Sequence, residues 1–444
     1  MTVASVLVVG GGPAGLAAAA RLAESGVAVD LVELRPALGG AFHRRPIDGV
    51  APWPVGREGA KRWARLTDDL RRPRIRIRLR TAFLGLDGSG AALLDDLAAG
   101  RVEALRPDAI VVATGAVERV RPRPGWELPG VSTAGGLQMA MKETGRIPEG
   151  RILLAGNGPL LVALAGQMIA ADRPPVALVE AGDPIRHPIA GLGLLAHPRP
   201  LLEASGHVLR IFAGRLPWRR ATTVERIEAV GTALAVTLRD RAGRAETIEV
   251  DRVALHDGLL SNDHGLPEVD DGAPGRPIVA RAGDCREVLG VAAAEIDGHR
   301  AAEEVVARLA GAPGADAAAA RRLAHERHAQ QVLARVFAPA RLPVPVERLP
   351  RETVLCRCEG RTVGDLVDLV DGADAPGGRE IKLSGRFAMG LCQGRFCAHW
   401  VAEAAAGLRP DAPAPLSGDL TGRRWPARPV SVAAVVASAL PPER

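Results

Sequence analysis

The sequence predicts an α/β chain in which two parallel-sheet units precede a small cysteine-bearing module. Three observations carry this. An apolar run over residues 3–9 enters a glycine turn, Gly10-Gly11-Gly12-Pro13-Ala14-Gly15, and then an Ala- and Leu-rich helix former. The same order recurs at residues 151–155, at Gly156-Asn157-Gly158-Pro159, and at a helical stretch near 160–171. Four of the five cysteines form two close pairs late in the chain, Cys356 with Cys358 and Cys392 with Cys397. A short continuous apolar run followed at once by a helical run is the pattern of a βαβ unit, whose strand is buried on both faces.

In chain order, the first strand and helix are followed by a second strand, 27–31, that ends near Glu33. Residues 56–70 read as an amphipathic helix, and 71–80 alternate Arg with Ile and Leu as a half-exposed strand does. A nucleic-acid footprint is the competing reading of those arginines, but no interleaved aromatics or wider basic stripe accompany it. Strands follow at 80–85, 91–94 and 109–113, the last running into Thr114-Gly115-Ala116. Pro122, Pro124 and Pro129 mark a junction to the second unit, which continues with a strand 176–180 ending at Glu180 and alternating strands between 205 and 255. The chain then returns to the first unit through a strand ending in Gly283-Asp284 and a helix over 291–309. The expected division is a first domain split over 1–125 and 250–320, a second at 126–249, a linker at 321–350, a cysteine domain at 351–405, and a tail at 406–444. The tail is rich in Pro and Ala and carries Arg423, Arg424, Trp425 and Arg428.

Composition bounds the function. A chain of 444 residues suits about three domains, and 47% hydrophobic with 24% charged residues is a globular balance. Glycine and proline are abundant without a three-residue period, which excludes collagen and implies many turns. Only Lys61, Lys142 and Lys382 are lysines, and Tyr is absent, a skew of the kind that codon bias in a GC-rich genome produces. A net charge of +6 over this length is weak evidence for a nucleic-acid partner. An odd cysteine count without a signal-peptide pattern argues against a disulfide scaffold, and no stretch has the length and apolarity of a membrane span. A cytoplasmic protein is expected, with at most peripheral contact at the inner face of the membrane.

The first glycine turn has a definite chemistry. Gly10 permits the tight turn, Gly12 lets the backbone approach a pyrophosphate, and Gly15 allows close packing of helix on strand, with Pro13 and Ala14 opening the helix. The helix N-terminus supplies unpaired N–H groups and a partial positive charge. Glu33, eighteen residues beyond Gly15, can accept from adenosine ribose hydroxyls. In the second turn Leu161 stands in place of the third glycine. NAD or another adenine nucleotide is the candidate ligand of Gly156, Gly158 and Glu180; a scaffold that keeps the fold without the ligand is the equal alternative.

Two close cysteine pairs separated by a helical segment can bring four thiolates together, which suits a [2Fe-2S] cluster. Zinc also accepts four thiolates but more often uses wider knuckles than C-x-C. Unliganded thiols are the third reading. Gly385, Gly390 and Gly394 allow close backbone approach beside the second pair.

The glycine fingerprint, the segment Ala113-Thr114-Gly115-Ala116 and the late Gly283-Asp284 together resemble the disulfide-reductase-like superfamily of flavoproteins with two Rossmann-like dinucleotide-binding domains. That resemblance implies FAD at the first turn, with Asp284 on its ribityl–pyrophosphate part and Gly39-Gly40 near the flavin. Taken singly, Thr114-Gly115 reads as a turn and Asp284 as a helix N-cap. No cysteine lies between residues 35 and 150, so the redox dithiol of thioredoxin- or glutathione-type reductases is missing, and Cys285 reads as a small buried side chain. Residues 354–397 resemble the bacterioferritin-associated-ferredoxin-like [2Fe-2S] domain, which implies Cys356, Cys358, Cys392 and Cys397 as ligands. The closing C-x4-C, where C-x2-C is usual, resembles the larger flavoprotein subunits of the opine oxidase, hydrogen cyanide synthase and proline or hydroxyproline dehydrogenase type. Pro124-Gly125-Trp126-Glu127-Leu128-Pro129-Gly130-Val131 and Thr133-Ala134-Gly135-Gly136 resemble that subgroup too.

The subgroup implies an electron-transfer subunit carrying FAD and [2Fe-2S], within a heteromeric amino-acid or opine dehydrogenase. Its partners would be two further subunits, one a smaller FAD-containing oxidase-like protein and the other a small ferredoxin-like protein. No catalytic base is assigned; His43 is the nearest candidate in sequence and reads better as a packing or surface histidine. Rival functions are an NAD(P)H-dependent ferredoxin-type reductase, a non-enzymatic iron–sulfur assembly or sensing protein, and a nucleic-acid-binding module built on 71–80.

Overall fold

We describe the chain from a computed structural model over residues 3–46, 49–54, 56–187, 191–267, 275–312, 317–372, 376–421 and 426–439. Five parallel strands form the first sheet in the order Ile278–Arg281, Ala109–Val112, Ser5–Val9, Ala28–Val32, Ile75–Arg78. Helices Pro13–Glu24 and Val291–Leu309 pack on one face, burying Val6, Val8, Leu16 and Leu22. The other face buries Leu7, Val9, Ile110 and Val112 against Phe83 and Leu94 of an antiparallel meander, Thr81–Leu86, Ala92–Asp96 and Arg101–Leu105. Coverage on both faces is why the central strands read as unbroken apolar runs. The third meander strand was not expected, because Arg101 and Glu103 interrupt its apolar residues within a run of only five. Ile75–Arg78 is the sheet edge, which explains its alternation; Arg78 pairs with Glu103, and Arg72 reaches Glu24 at 2.6 Å.

The chain leaves and re-enters this unit through one antiparallel pair, Ala116–Glu118 with Leu259–Ser261. The second sheet is also parallel, in the order Trp218–Arg220, Ala177–Glu180, Ile152–Gly156, Arg252–His256, Val131–Thr133. Leu161 is buried in its core, so it packs under the sheet without displacing helix Pro159–Ala170. The expectation of strands from 205 onward is corrected: Pro198–Ala213 is a helix, and strands begin at Trp218. Leu201, Ala204, Val208 and Ile211 recur at helical spacing, and that period outweighs the β-branched content. The Ala-rich helix expected within the 311–350 linker stretch is present as Ala317–Val336, and its Val332 and Val336 are buried in the second unit's core.

The cysteine module has its own core, with Leu355, Leu366, Ile381, Phe387 and Val401 buried around Trp400. Two indoles fasten it to the junction between the units: Trp400 Nε1 donates to the Val120 carbonyl at 2.8 Å, and Trp126 Nε1 donates to the Val354 carbonyl at 2.7 Å. The guanidinium groups of Arg119 and Arg121 lie 4.4 and 5.0 Å from the Trp400 ring. The tail then crosses back, and the Ala427 N–H donates to the Leu84 carbonyl of the first meander at 2.7 Å. Arg423, Arg424 and Trp425 lie outside the described residues.

Removing a fully buried indole costs about 3–5 kcal/mol, and here it also removes the bond that holds the module. Trp400→Ala is expected to lower the midpoint of thermal unfolding and to expose the 337–350 segment to proteolysis before the nucleotide-binding units are cut. Unchanged cleavage in the variant would show that the module is held elsewhere.

Candidate functional site

Four segments distant in sequence meet at the C-terminal ends of the first sheet. Gly10 has φ +110°, and a Cβ there would collide with the Ala113 carbonyl. A Cβ on Gly15 would collide with the Gly10 carbonyl, and one on Gly40 would come 2.8 Å from the Gly12 Cα. Gly283, at φ +67°, faces the Ala14 methyl, which a Cβ would approach to 2.6 Å. Helix Pro13–Glu24 opens on Gly12 with no side-chain cap and no acid in its first turn, which leaves its leading N–H groups for an anion. The glycine fingerprint, Gly39-Gly40, Ala113-Thr114-Gly115 and Gly283-Asp284 thus surround one cradle.

Glu33 stands at its rim. Its carboxylate accepts from the Gly11 and Arg35 N–H groups at 2.8 and 2.9 Å, and the residue is 9% exposed. Asp284 Oδ1 accepts from the Leu289 and Gly290 N–H groups, both at 3.1 Å, in the turn before helix Val291–Leu309; the N-cap of that helix is Gly290, so Asp284 is not its N-cap. Burial raises the Asp284 carboxyl above its ordinary value. Cys285 is buried with its Sγ 3.1 Å from Thr114 Oγ1, a packing thiol raised by burial. His43 is buried against Trp63 and Phe42, with Nε2 unpartnered; burial first, then Arg62, Lys142 and Arg45, lower it to about 4. Lys142 lies beside it, lowered to about 8 by burial and Arg44, and donates to the Ala41 and Phe42 carbonyls, both at 3.1 Å.

The second turn differs at its rim. Glu180 is 0% exposed and accepts from Gly158 N–H at 3.1 Å and Gly182 N–H at 3.5 Å. Burial pushes its carboxyl well above the usual range, against the pull of those N–H groups. Residues 337–340 of the chain lie against the two residues that follow it: a Cβ on Gly182 would come 2.8 Å from the Phe337 carbonyl, and the Ala340 N–H donates to the Ala181 carbonyl at 2.9 Å. Glu180, expected to reach a ribose, is sealed in this structure. Gly156 and Gly158 keep their turn geometry, both at positive φ.

All five cysteines are free thiols. In the module, Cys356 Sγ and Cys397 Sγ are 3.6 Å apart; Cys397 also meets Cys392, which meets Cys358. Backbone N–H groups point at the sulfurs: those of Ala388 and Glu359 at Cys356, those of Phe396 and Gly394 at Cys392, and that of Cys392 at Cys358. The Cys397 thiol lowers Cys356 to about 6 and Cys392 to about 5, while its own proton is held, which raises Cys397; burial raises Cys358. Gly390 must be glycine, because a Cβ would strike Cys358. Among the described residues, no three or more His, Cys, Asp and Glu side chains are arranged as a site for a metal ion.

Sequence reading missed the residues that join module to cradle. Arg395, inside the C-x4-C spacing, lies with Nε 3.4 Å from Asn262 Oδ1, and its Nη1 donates to the Cys392 carbonyl at 3.2 Å. Asn262 Nδ2 donates to the Thr114 carbonyl at 3.2 Å, and Thr114 Oγ1 donates to the Asn262 carbonyl at 2.7 Å. The only signal was a lone arginine between two cysteines, and a lone arginine has no defined target in sequence.

Comparison with known proteins follows this geometry. A family model described as pyridine nucleotide-disulphide oxidoreductase matches residues 4–273. The chain belongs to that family. It is 33% identical over 438 residues to the A subunit of opine oxidase from Agrobacterium tumefaciens (strain Ach5), covering 90% of this chain and 84% of that protein. It is 30% identical over 431 residues to hydrogen cyanide synthase subunit HcnB of Pseudomonas protegens, covering 89% and 91%. The solved L-proline dehydrogenase of P. horikoshii superposes with a TM-score of 0.64 at 18% identity, over 98% of this chain and 79% of that one. As a pyridine nucleotide-disulphide oxidoreductase the chain is a flavoprotein oxidoreductase by fold, and the fold implies FAD. The glycine cradle fits that cofactor: uncapped helix N–H groups face its open side, and backbones approach where side chains would block. No described helix is long and apolar enough to cross a membrane.

The sealed Glu180 has a measurable consequence. Its folded state holds the proton more tightly than the unfolded chain, so stability falls as pH rises above the ordinary carboxylate range. Glu180→Gln keeps an acceptor for Gly158 N–H and removes the ionisable group. The melting temperature of the variant relative to wild type is expected to rise steadily from about pH 5 to about pH 8. A difference independent of pH would mean that the carboxyl is hydrated and open to a ligand.

Proposed function

We propose that this chain is the electron-transfer subunit, carrying FAD and a [2Fe-2S] cluster, of a heteromeric dehydrogenase or oxidase. Its donor is the C–N bond of an amino acid or opine. The observation that carries the reading is the hydrogen-bonded path from Thr114, at the cradle, through Asn262 and Arg395 to Cys392. Bound FAD accepts a hydride, and an iron–sulfur cluster carries electrons singly, so the pair converts two-electron into one-electron transfer. The chain's own residues hold the two sites in register: Trp400 and Trp126 fix the module, and Arg395 spans the gap.

Cys356, Cys358, Cys392 and Cys397 would hold the cluster. N–H groups on the sulfurs stabilise thiolates and tune cluster potentials. A single zinc ion would need four sulfurs about 2.3 Å from one point. Zinc more often uses wider knuckles than the C-x-C of Cys356 and Cys358, whereas two close thiolate pairs suit a [2Fe-2S] cluster. The relatives' names as subunits support a heteromeric assembly, in which a smaller FAD-containing oxidase-like protein supplies electrons. A small ferredoxin-like protein is the further partner. The NAD(P)H-reductase reading is weaker, because Glu180 is fully buried.

The test is anaerobic. Purified with its partner subunits, the wild type is expected to show flavin absorbance and, once reduced, a rhombic cluster signal. An amino acid or opine should bleach the flavin, and NADH should not. Cys392→Ala is expected to lose the cluster signal while keeping most of its flavin, since the sites lie on separate modules. A wild-type protein without flavin or cluster, or one bleached at once by NADH alone, would overturn the proposal.

A further inference from the structure

Helix Pro198–Ala213 has two unlike faces. One packs on helix Pro159–Ala170 and buries Ile211, with Leu201, Ala204 and Val208 half-buried beside it. The opposite face carries Leu202, Leu209 and Phe212, which are 73%, 70% and 58% exposed. Their spacing of seven and three residues sets them along one stripe, with Gly206 between. The turn that leads into the helix exposes Leu192 and Leu195 as well. Single exposed leucines are ordinary, but a contiguous apolar stripe on one helix marks a contact surface.

The charges flanking the stripe indicate what covers it. Glu203 and Arg210 are both exposed, and both act on His207 from the same flank of the helix. Seven residues separate them, about 10 Å along the axis, too far to pair with each other. Among the described residues neither makes an ion pair. When two copies of one helix pack antiparallel about a two-fold axis near Gly206, like flanks face each other. Glu203 of each copy then meets Arg210 of the other, and the leucines and phenylalanine close the seam. Gly206 at the crossing lets the backbones approach. We infer that this face is a homodimer interface whose occupant is helix Pro198–Ala213 of a second copy of the chain.

This inference is independent of the electron-transfer reading, and its test uses mass and affinity only. Light scattering and sedimentation of the full chain are expected to give a dimer at micromolar concentration. Leu209→Arg is expected to give a monomer with an unchanged circular dichroism spectrum and melting temperature, because the residue touches solvent in the free chain. In a two-fold interface each charge reversal acts twice. Glu203→Arg alone and Arg210→Glu alone should each weaken the dimer by about tenfold, and the two together should restore it to within about threefold. A monomeric wild type, a Leu209→Arg protein that stays dimeric, or a double reversal no better than the singles would each overturn the proposal. So would loss of an unlike subunit, instead of a second copy, from Leu209→Arg.

Discussion

Everything at the first site depends on one backbone crowding. The Gly10 and Gly15 backbones meet as the first strand turns into its helix, and the Ala113 carbonyl of the neighbouring strand presses on the same point. A side chain at Gly10 or Gly15 would force the helix off the sheet and with it the N–H groups that face the cradle. The later glycines extend the same constraint: Gly40 against Gly12 and Gly283 against Ala14 bring remote loops to the turn. Once these approaches are made, the sheet order leaves only one place for a dinucleotide, the crevice at the strand ends where strand order reverses.

The second unit repeats the fold but not its opening. Glu33 and Glu180 occupy equivalent strand ends, and each accepts from an N–H of its glycine turn. The difference is what lies above. Glu33 retains some solvent contact, while Glu180 is fully buried and the chain that follows helix Ala317–Val336 packs on the adjacent Ala181 and Gly182. A carboxylate buried without a cation is costly, and its raised affinity for a proton is how the fold accommodates it. The second sheet also carries helix Pro198–Ala213 on one side and the junction that seats the cysteine module on another.

Most of the fold was legible in the sequence because the strands of both parallel sheets are buried on two faces and need continuous apolar runs. The glycine motifs were legible for a related reason, since close approach tolerates no substitute. Elements failed where another force decided. Helix Pro198–Ala213 carries enough apolar residues on both faces to obscure its period. The helix within the linker stretch was legible from its Ala-rich run, but its docking on the second unit through Val332 and Val336 was not. The packing of residues 337–340 on Ala181 and Gly182, beside Glu180, is a contact about 160 residues away in sequence that no local pattern encodes.

The motif around Pro124-Gly125-Trp126 ties the module to the rest. Gly125, at φ +81°, lies where a Cβ would strike the Ile227 carbonyl, so the turn is pinned to strand Thr222–Val230 of the second unit. That fixes Trp126, whose indole holds the Val354 carbonyl two residues before Cys356. Nearby, Thr133 caps its helix through the Gly136 N–H at 2.9 Å, and Gly135 makes room for Glu118, which pairs with His256 Nδ1 at 2.8 Å across the crossing strands. Both motifs therefore serve one purpose, a rigid junction between the two units on which the module sits. A module merely tethered by a chain would sample many distances from the cradle. Docked through Trp126, Trp400 and Arg395, it is held in one position relative to the cradle.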